Sequence, residues 1–173
     1  MSTAQTLLTI GALVLLTLLS LNAHRAIYFT NVSQLETRIL VVATCEAENI
    51  LQEIEKKWFD QVIAEKVAEN EGSIRKATIG VKPGDLTSPS GLGPDTGEYY
   101  PNFNDIDDFH NWSTTISNAL LTDPLEVSVI VVYVDPNQPM QTSLVQTTAK
   151  RVEITVDAVS MHHPLMISRV IYY

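Results

Sequence analysis

The chain has a single cysteine, Cys45, so it cannot close a disulfide within itself. Any part of it that meets an oxidising compartment must be held by packing alone. Such a thiol is expected to be a small buried hydrophobe, with a reactive or intermolecular thiol as the alternative. Positive charge is scarce as well: 11 Lys and Arg stand against 20 Asp and Glu, for a net charge of −9. So acidic a surface repels phosphate backbones, which argues against nucleic-acid binding and favours solubility. Residues 1–24 contain no Asp, Glu, Lys or Arg at all. No Gly or Pro lies between Ala12 and Asn70, so that stretch holds no ready helix breaker. Nucleophile elbow, phosphate loop and zinc-ligand spacing are all missing. The expectation is a protein that is not an enzyme and takes no cofactor.

What fills the uncharged N-terminus is eight Leu together with Ile10 and Val14. Residues 4–23 supply the roughly 20 positions that, at about 1.5 Å each, cross a hydrocarbon core of about 30 Å. Those apolar side chains favour insertion by roughly 3–6 kcal/mol, before Gln5, Asn22 and the hydroxyls subtract from it. Insertion is therefore favourable but modest, as suits a helix that must later leave the bilayer. A cleaved secretory signal fits poorly, because Leu21-Asn22-Ala23 is a weak small-x-small site and no Lys or Arg marks an n-region. An ordinary single-pass anchor remains open beside a packed stem. Gly11 and Ala12 allow close helix–helix approach, and Thr6, Thr9, Thr17 and Ser20 can return hydrogen bonds to the preceding turn.

After Tyr28-Phe29, a candidate interfacial pair, helical periodicity resumes. Leu35, Ile39, Val42, Ala43, Ala47, Ile50, Leu51, Ile54, Trp58 and Val62 recur at spacings of three or four. This divides the chain into an apolar helix over 1–28, an amphipathic continuation over 29–71 and a head over 72–173. One unbroken helix from residue 4 to 69 would measure about 100 Å, with Asn70-Glu71-Gly72 as its stop. In the head, Lys76 to Val81 is a candidate first strand. Residues 82–104 form a loop dense in Pro and Gly, and Asn111 to Leu121 reads as short helix or irregular chain. Glu126 to Val134, Arg151 to Val159 and Leu165 to Tyr173 read as strands, with Pro136, Pro139 and Pro164 outside them. The fold class is α+β: a long helix whose second half covers three or four antiparallel strands.

A long helix, apolar for its first twenty-odd residues and leading into a small antiparallel head, resembles a type IV pilin or pseudopilin. The resemblance is architectural over the whole chain and sequence-level over residues 1–25. It implies a class III, prepilin-type signal, whose short basic leader is removed before the new N-terminus is methylated. Here Met1-Ser2-Thr3-Ala4-Gln5-Thr6-Leu7-Leu8-Thr9-Ile10 would be the mature start. Subunits of that family leave the inner membrane and polymerise into a fimbrium on the cell surface, so the implied partners are copies of the same chain. Three departures stand out. Gln5 replaces the usual Glu, as in certain minor tip pseudopilins, and accepts a neighbour's terminal amine without charge assistance. Asn22 replaces a frequent Pro, and Cys45 has no partner for the family's C-terminal disulfide loop. The alternative class is a membrane-tethered binding or sensor domain that never polymerises.

Assembly residues on this reading are Met1, Gln5, Gly11 and Asn22 in the stem. Tyr99, Tyr100 and Phe103 are candidate anchors in the loop. Trp112, Tyr172 and Tyr173 are either contact residues or packing. Asp105, Asp107 and Asp108, with Asp95 and Glu98 upstream, are weak Ca²⁺ candidates; they lack the glycine and the final Glu of an EF-hand loop, and a solvated acidic turn is the expectation. His162-His163 would point to opposite faces of a strand, and His110 has no recognisable partner, so no metal site is expected there.

Overall fold

A computed structural model describes residues 2–69 and 80–173, in the element order α1 (Thr3–Ile54), α2 (Gln61–Glu69), β1 (Ser113–Ile116), β2 (Leu125–Asp135), β3 (Gln138–Thr142), β4 (Ala149–Asp157) and β5 (Leu165–Tyr172). The class is α+β, as the sequence implies. Contacts divide the chain into two compact units, residues 1–41 and 42–173. The first is helical from Thr3 onward, and every residue from Ser2 to Asn31 is exposed. The helix runs unbroken through residues 17–23, since Asn22 leaves the ladder intact where a proline would remove a donor.

The second unit is built from two matching apolar patterns. Along α1, Val42, Ala43, Ala47, Ile50, Leu51 and Ile54 recur on one helical stripe and are buried. Along β2, Leu125, Val127, Val129, Val131 and Tyr133 alternate inward, and along β4 so do Lys150, Val152, Ile154 and Val156. The antiparallel register sets these inward positions opposite one another: Val127 faces Val156, Val129 faces Ile154, Val131 faces Val152 and Tyr133 faces Lys150. Stripe and sheet close one core, which Ile63 and Val67 of α2 extend. Each Val, Leu or Ile withdrawn from water contributes about 1.5–3 kcal/mol, and this is what holds the disulfide-free head together.

The sheet order is β1-β2-β4-β5, with β3 pairing the end of β2. Among the described residues, three of the five strands, β2, β4 and β5, agree with the sequence expectation to within two residues. Two were missed. β1 falls in the stretch read as irregular, where Asn111 takes a left-handed conformation (φ 62°) and directs the chain onto the sheet. β3 contains Pro139, which an edge strand tolerates because it has no ladder partner on one side. The candidate strand from Lys76 lies outside the described residues over 76–79, as does the proposed stop at 70–72, and Val81 belongs to no strand.

The expected single helix to residue 69 is also corrected: α1 ends at Ile54, and α2 begins at Gln61. Trp58 leaves the helix to make a short parallel bridge with Asp105, its N–H donating to the Asn104 carbonyl (3.2 Å) while the Ile106 N–H donates to its own carbonyl (2.8 Å). Asp60 then starts α2, with its backbone carbonyl accepting from Ile63 (2.9 Å) and its Oδ1 accepting from Val62 N–H (3.2 Å). The break needs no Gly or Pro because tertiary hydrogen bonds replace the helical ones.

Candidate functional site: an exposed apolar helix and a buried ionic cluster

The first candidate is the surface of α1 itself. Its most apolar stretch has a mean hydropathy of 2.0 and none of it is buried, so it is long and apolar enough to cross a membrane. Leu7, Leu8, Leu16 and Leu19 are each more than 60% exposed. The polar side chains in this stretch are turned back on the helix: Thr6 Oγ1 donates to the Ser2 carbonyl (3.2 Å), Thr9 to Gln5 (2.8 Å) and Thr17 to Leu13 (2.8 Å). Ser20 takes part through its carbonyl, 2.9 Å from His24 Nδ1. Gln5 Oε1 accepts from the Ser2 N–H at 3.3 Å, half of a capping box that satisfies an orphan donor at the helix start. A side chain added at Gly11 would meet nothing within 4 Å. Asn22 is exposed, and Met1 lies outside the described residues.

The second candidate is inside the head, where sequence reasoning expected a solvated acidic turn. Asp105, Asp107 and Asp108 are instead 1–2% exposed, and Asp60 and Lys150 are wholly buried. The Lys150 ammonium supplies the matching charge for Asp60 and Asp107. Asp105 instead accepts from the Asp107 and Asp108 N–H groups, and Asp108 from those of Asn104 and Asp105. Lys150 Nζ donates to Asp60 Oδ2 (2.8 Å) and to the Phe59 carbonyl (2.8 Å), and it lies 4.4 Å from the Phe59 ring centroid and 4.8 Å from that of Tyr133. Asp107 Oδ1 is 2.6 Å from the same nitrogen in a poorly directed ion pair, and neither Asp107 oxygen receives a hydrogen bond. Asp60 is saturated by comparison. Tyr133 Oη donates to it (2.9 Å), as do the Thr87 N–H (3.1 Å) and the Thr87 hydroxyl (3.0 Å).

These surroundings separate the carboxyl groups. Burial pushes Asp60 up, but the Lys150 charge and the hydrogen bonds from Lys150, Tyr133 and Val62 outweigh it and leave the group below the usual range. Burial pushes Asp107 up to about 7, with Lys150 opposing and Asp60 assisting. Burial raises Asp105 to about 8, reinforced by the Asp107 and Asp108 charges. The cluster thus favours the neutral acid at Asp105 and the ionised form at Asp60. Burial and the Asp60 charge also raise Tyr133, which keeps its phenol a donor.

A metal does not suit this place. The ammonium already occupies the cation position, and among the described residues no group of three or more His, Cys, Asp or Glu is arranged to hold an ion. Asp95 is exposed, and Glu98 accepts from Asn104 Nδ2 at 2.5 Å, raised by burial and then by Asp108 and Asp95. His162 and His163 sit in the exposed turn before β5, and His110 Nδ1 is 3.2 Å from the Val131 N–H.

The loop aromatics divide. Phe103 is 4% exposed and belongs to its own head, against Phe109 (4.9 Å between centroids) and Tyr100 (6.0 Å). Its ring thus packs inside its own head and not on an open loop as expected; Trp112, 4.8 Å from Tyr100, completes that cluster. Tyr99 is exposed, and Tyr100 is partly so, its hydroxyl donating to Glu53 (3.3 Å). Tyr173 stacks on Phe59 at 5.5 Å. Cys45, expected inside, is exposed because it falls off the Ala43–Ala47–Ile50 stripe of α1.

The sequence did hold a signal for the ionic cluster. Lys150 is in phase with Val152, Ile154 and Val156, the inward positions of β4, and a lysine at such a position must find buried carboxylates. No family model matches the chain, and no curated protein or solved structure shows significant similarity to it.

Proposed function

We propose that this chain is a structural subunit that polymerises through its N-terminal helix into an extracellular filament of the type IV pilus kind. Before assembly it waits in the inner membrane, and its partners in the filament are copies of itself. The observation that carries this reading is the complete exposure of an apolar helix from Ser2 to Asn31. Water does not tolerate such a surface on a protein whose other part is acidic and well packed, so lipid or other helices must cover it. Because the threonine hydroxyls bond within the helix, one surface serves both environments. Gly11 adds a place where a neighbouring backbone can come close.

The test is negative-stain imaging of sheared surface material from cells making the full chain or a chain lacking residues 1–24. Filaments from the first and a soluble monomer from the second are expected. A full chain that stays in the membrane without filaments would support the single-pass tether instead. Filaments from the shortened chain would show that the helix is not the assembly element.

A further inference from the structure

We propose that Lys150 and Asp107 condense to an intramolecular amide, with Asp60 as the catalytic residue that carries the proton, in the pocket walled by Phe59 and Tyr133. Amide formation between two side chains requires an amine and a carboxyl group in contact, in matching protonation states, with water kept out. The Lys150 nitrogen is wholly buried and 2.6 Å from Asp107 Oδ1. Two aromatic rings flank it within 5 Å. Fixing two reactants in this way corresponds to effective concentrations on the order of 10⁵–10⁸ M.

The geometry also chooses between the carboxyl groups. Asp60 accepts from Lys150, Tyr133, Thr87 and Val62, and a carboxylate so well solvated by donors is a poor electrophile. Asp107 receives no hydrogen bond on either oxygen and is buried to 2% exposure, which leaves it closer to the neutral acid.

The step balances without an oxidant or a reductant. The ammonium passes one proton to the Asp107 carboxylate, giving amine and acid side by side. The nitrogen lone pair attacks Cγ of Asp107, forming the C–N bond. Asp60 Oδ2, 2.8 Å from the nitrogen, takes the second proton and returns it to the departing hydroxyl. The C–O bond breaks, and one water leaves. The product ties β4 covalently to the turn Asp107–Phe109, in a chain whose single cysteine can make no internal crosslink. This inference does not depend on the filament reading.

Peptide mapping of the denatured full chain by tandem mass spectrometry tests it, and N-terminal processing does not affect the result. No Lys or Arg lies between Lys82 and Lys150, so the expected product is a single tryptic peptide that runs through Asp107 and Lys150 to Arg151, closed into a loop by the new amide and lighter by one water, with no cleavage after Lys150. Lys150→Arg and Asp107→Ala should each abolish it. Asp60→Asn, which cannot take the proton, should leave most chains unlinked. Normal cleavage after Lys150 in the native sequence would overturn the proposal, and since that readout needs no variant, a misfolded mutant cannot obscure it. A water loss mapped to Asp60 or elsewhere would also overturn it.

Discussion

Between Ser2 and Asn31 the chain carries leucines on its outside, whereas between Val42 and Tyr173 it carries a lysine and four aspartates on its inside. Both arrangements run against the ordinary division of apolar within and charged without. They differ in how the cost is met. The helix has no partner in its own unit for its apolar surface, so its stability in water depends on something outside the chain. The head meets that cost internally, with the Lys150 nitrogen set between the Asp60 and Asp107 carboxyl groups. An unmatched feature points outward to assembly, and a matched one points inward to architecture. That is why the assembly proposal rests on the helix and not on the more unusual chemistry of the head.

The sharpest way to break the comparison is to unmatch the head. Lys150→Ala leaves Asp60 and Asp107 buried without the lysine nitrogen that joins them, whether as ammonium or as amide, and should destabilise the head by about 3–5 kcal/mol in denaturant unfolding. Adding Asp60→Asn and Asp107→Asn to Lys150→Met should restore much of the loss. If Lys150→Ala alone were nearly silent, the charges would not be matched in the sense argued here.

Asp105 offers a pH test. Its carboxyl group is raised to about 8, against a usual value of about 3.9 in the unfolded chain. Its contribution to stability is thus fully present below about pH 4 and lost as pH rises through about 8. Burial is the largest cause, so the sign holds whether or not Lys150 is acylated. Asp105→Asn keeps the acceptor that the Asp107 and Asp108 N–H groups use and removes the ionisation. Thermal unfolding across that range should show a flatter profile for the variant, with its greatest advantage at the alkaline end. A wild-type profile that rises with pH through this window, and that Asp105→Asn leaves unchanged, would reject the assignment.

Two smaller changes sharpen the other side. Gln5→Leu removes the Ser2 cap contact, worth about 0.5–1.5 kcal/mol, and should lower filament yield more than Leu7→Ile does. Equal yields from the two would remove Gln5 from the assembly surface. Gly11→Ala should stabilise the helix of the isolated subunit in detergent by about 0.5–1 kcal/mol, because nothing crowds the new methyl group. The same change should reduce filament yield if helices meet at that point. Circular dichroism melting and counted filaments measure the two effects separately, and unaltered filaments would leave Gly11 without a packing role.

Much of the architecture can be read directly from local pattern. The apolar helix is legible because charge is missing from it, β2 because it is a near-continuous run of β-branched residues, and β4 because Val152, Ile154 and Val156 alternate with polar residues. Such signals survive folding because each residue's face follows from its own backbone period. The end of α1 at Ile54 is of another kind. Glu55 to Asp60 contains no breaker, and the chain turns there because Trp58 exchanges backbone hydrogen bonds with a segment about fifty residues away in sequence. The acidic turn was misread for a similar reason. Asp105, Asp107 and Asp108 look solvated until β4 brings Lys150 among them, and only a long-range contact can make burial of a carboxylate tolerable. The sequence by itself determined the apolar stem, the acidic surface, the α+β class and the faces of the main strands, since each depends on composition or on a period of a few residues. Tertiary structure alone decided where the helix breaks, that Phe103 turns inward and that one lysine gathers the aspartates, because those outcomes depend on which distant groups meet once the sheet has closed.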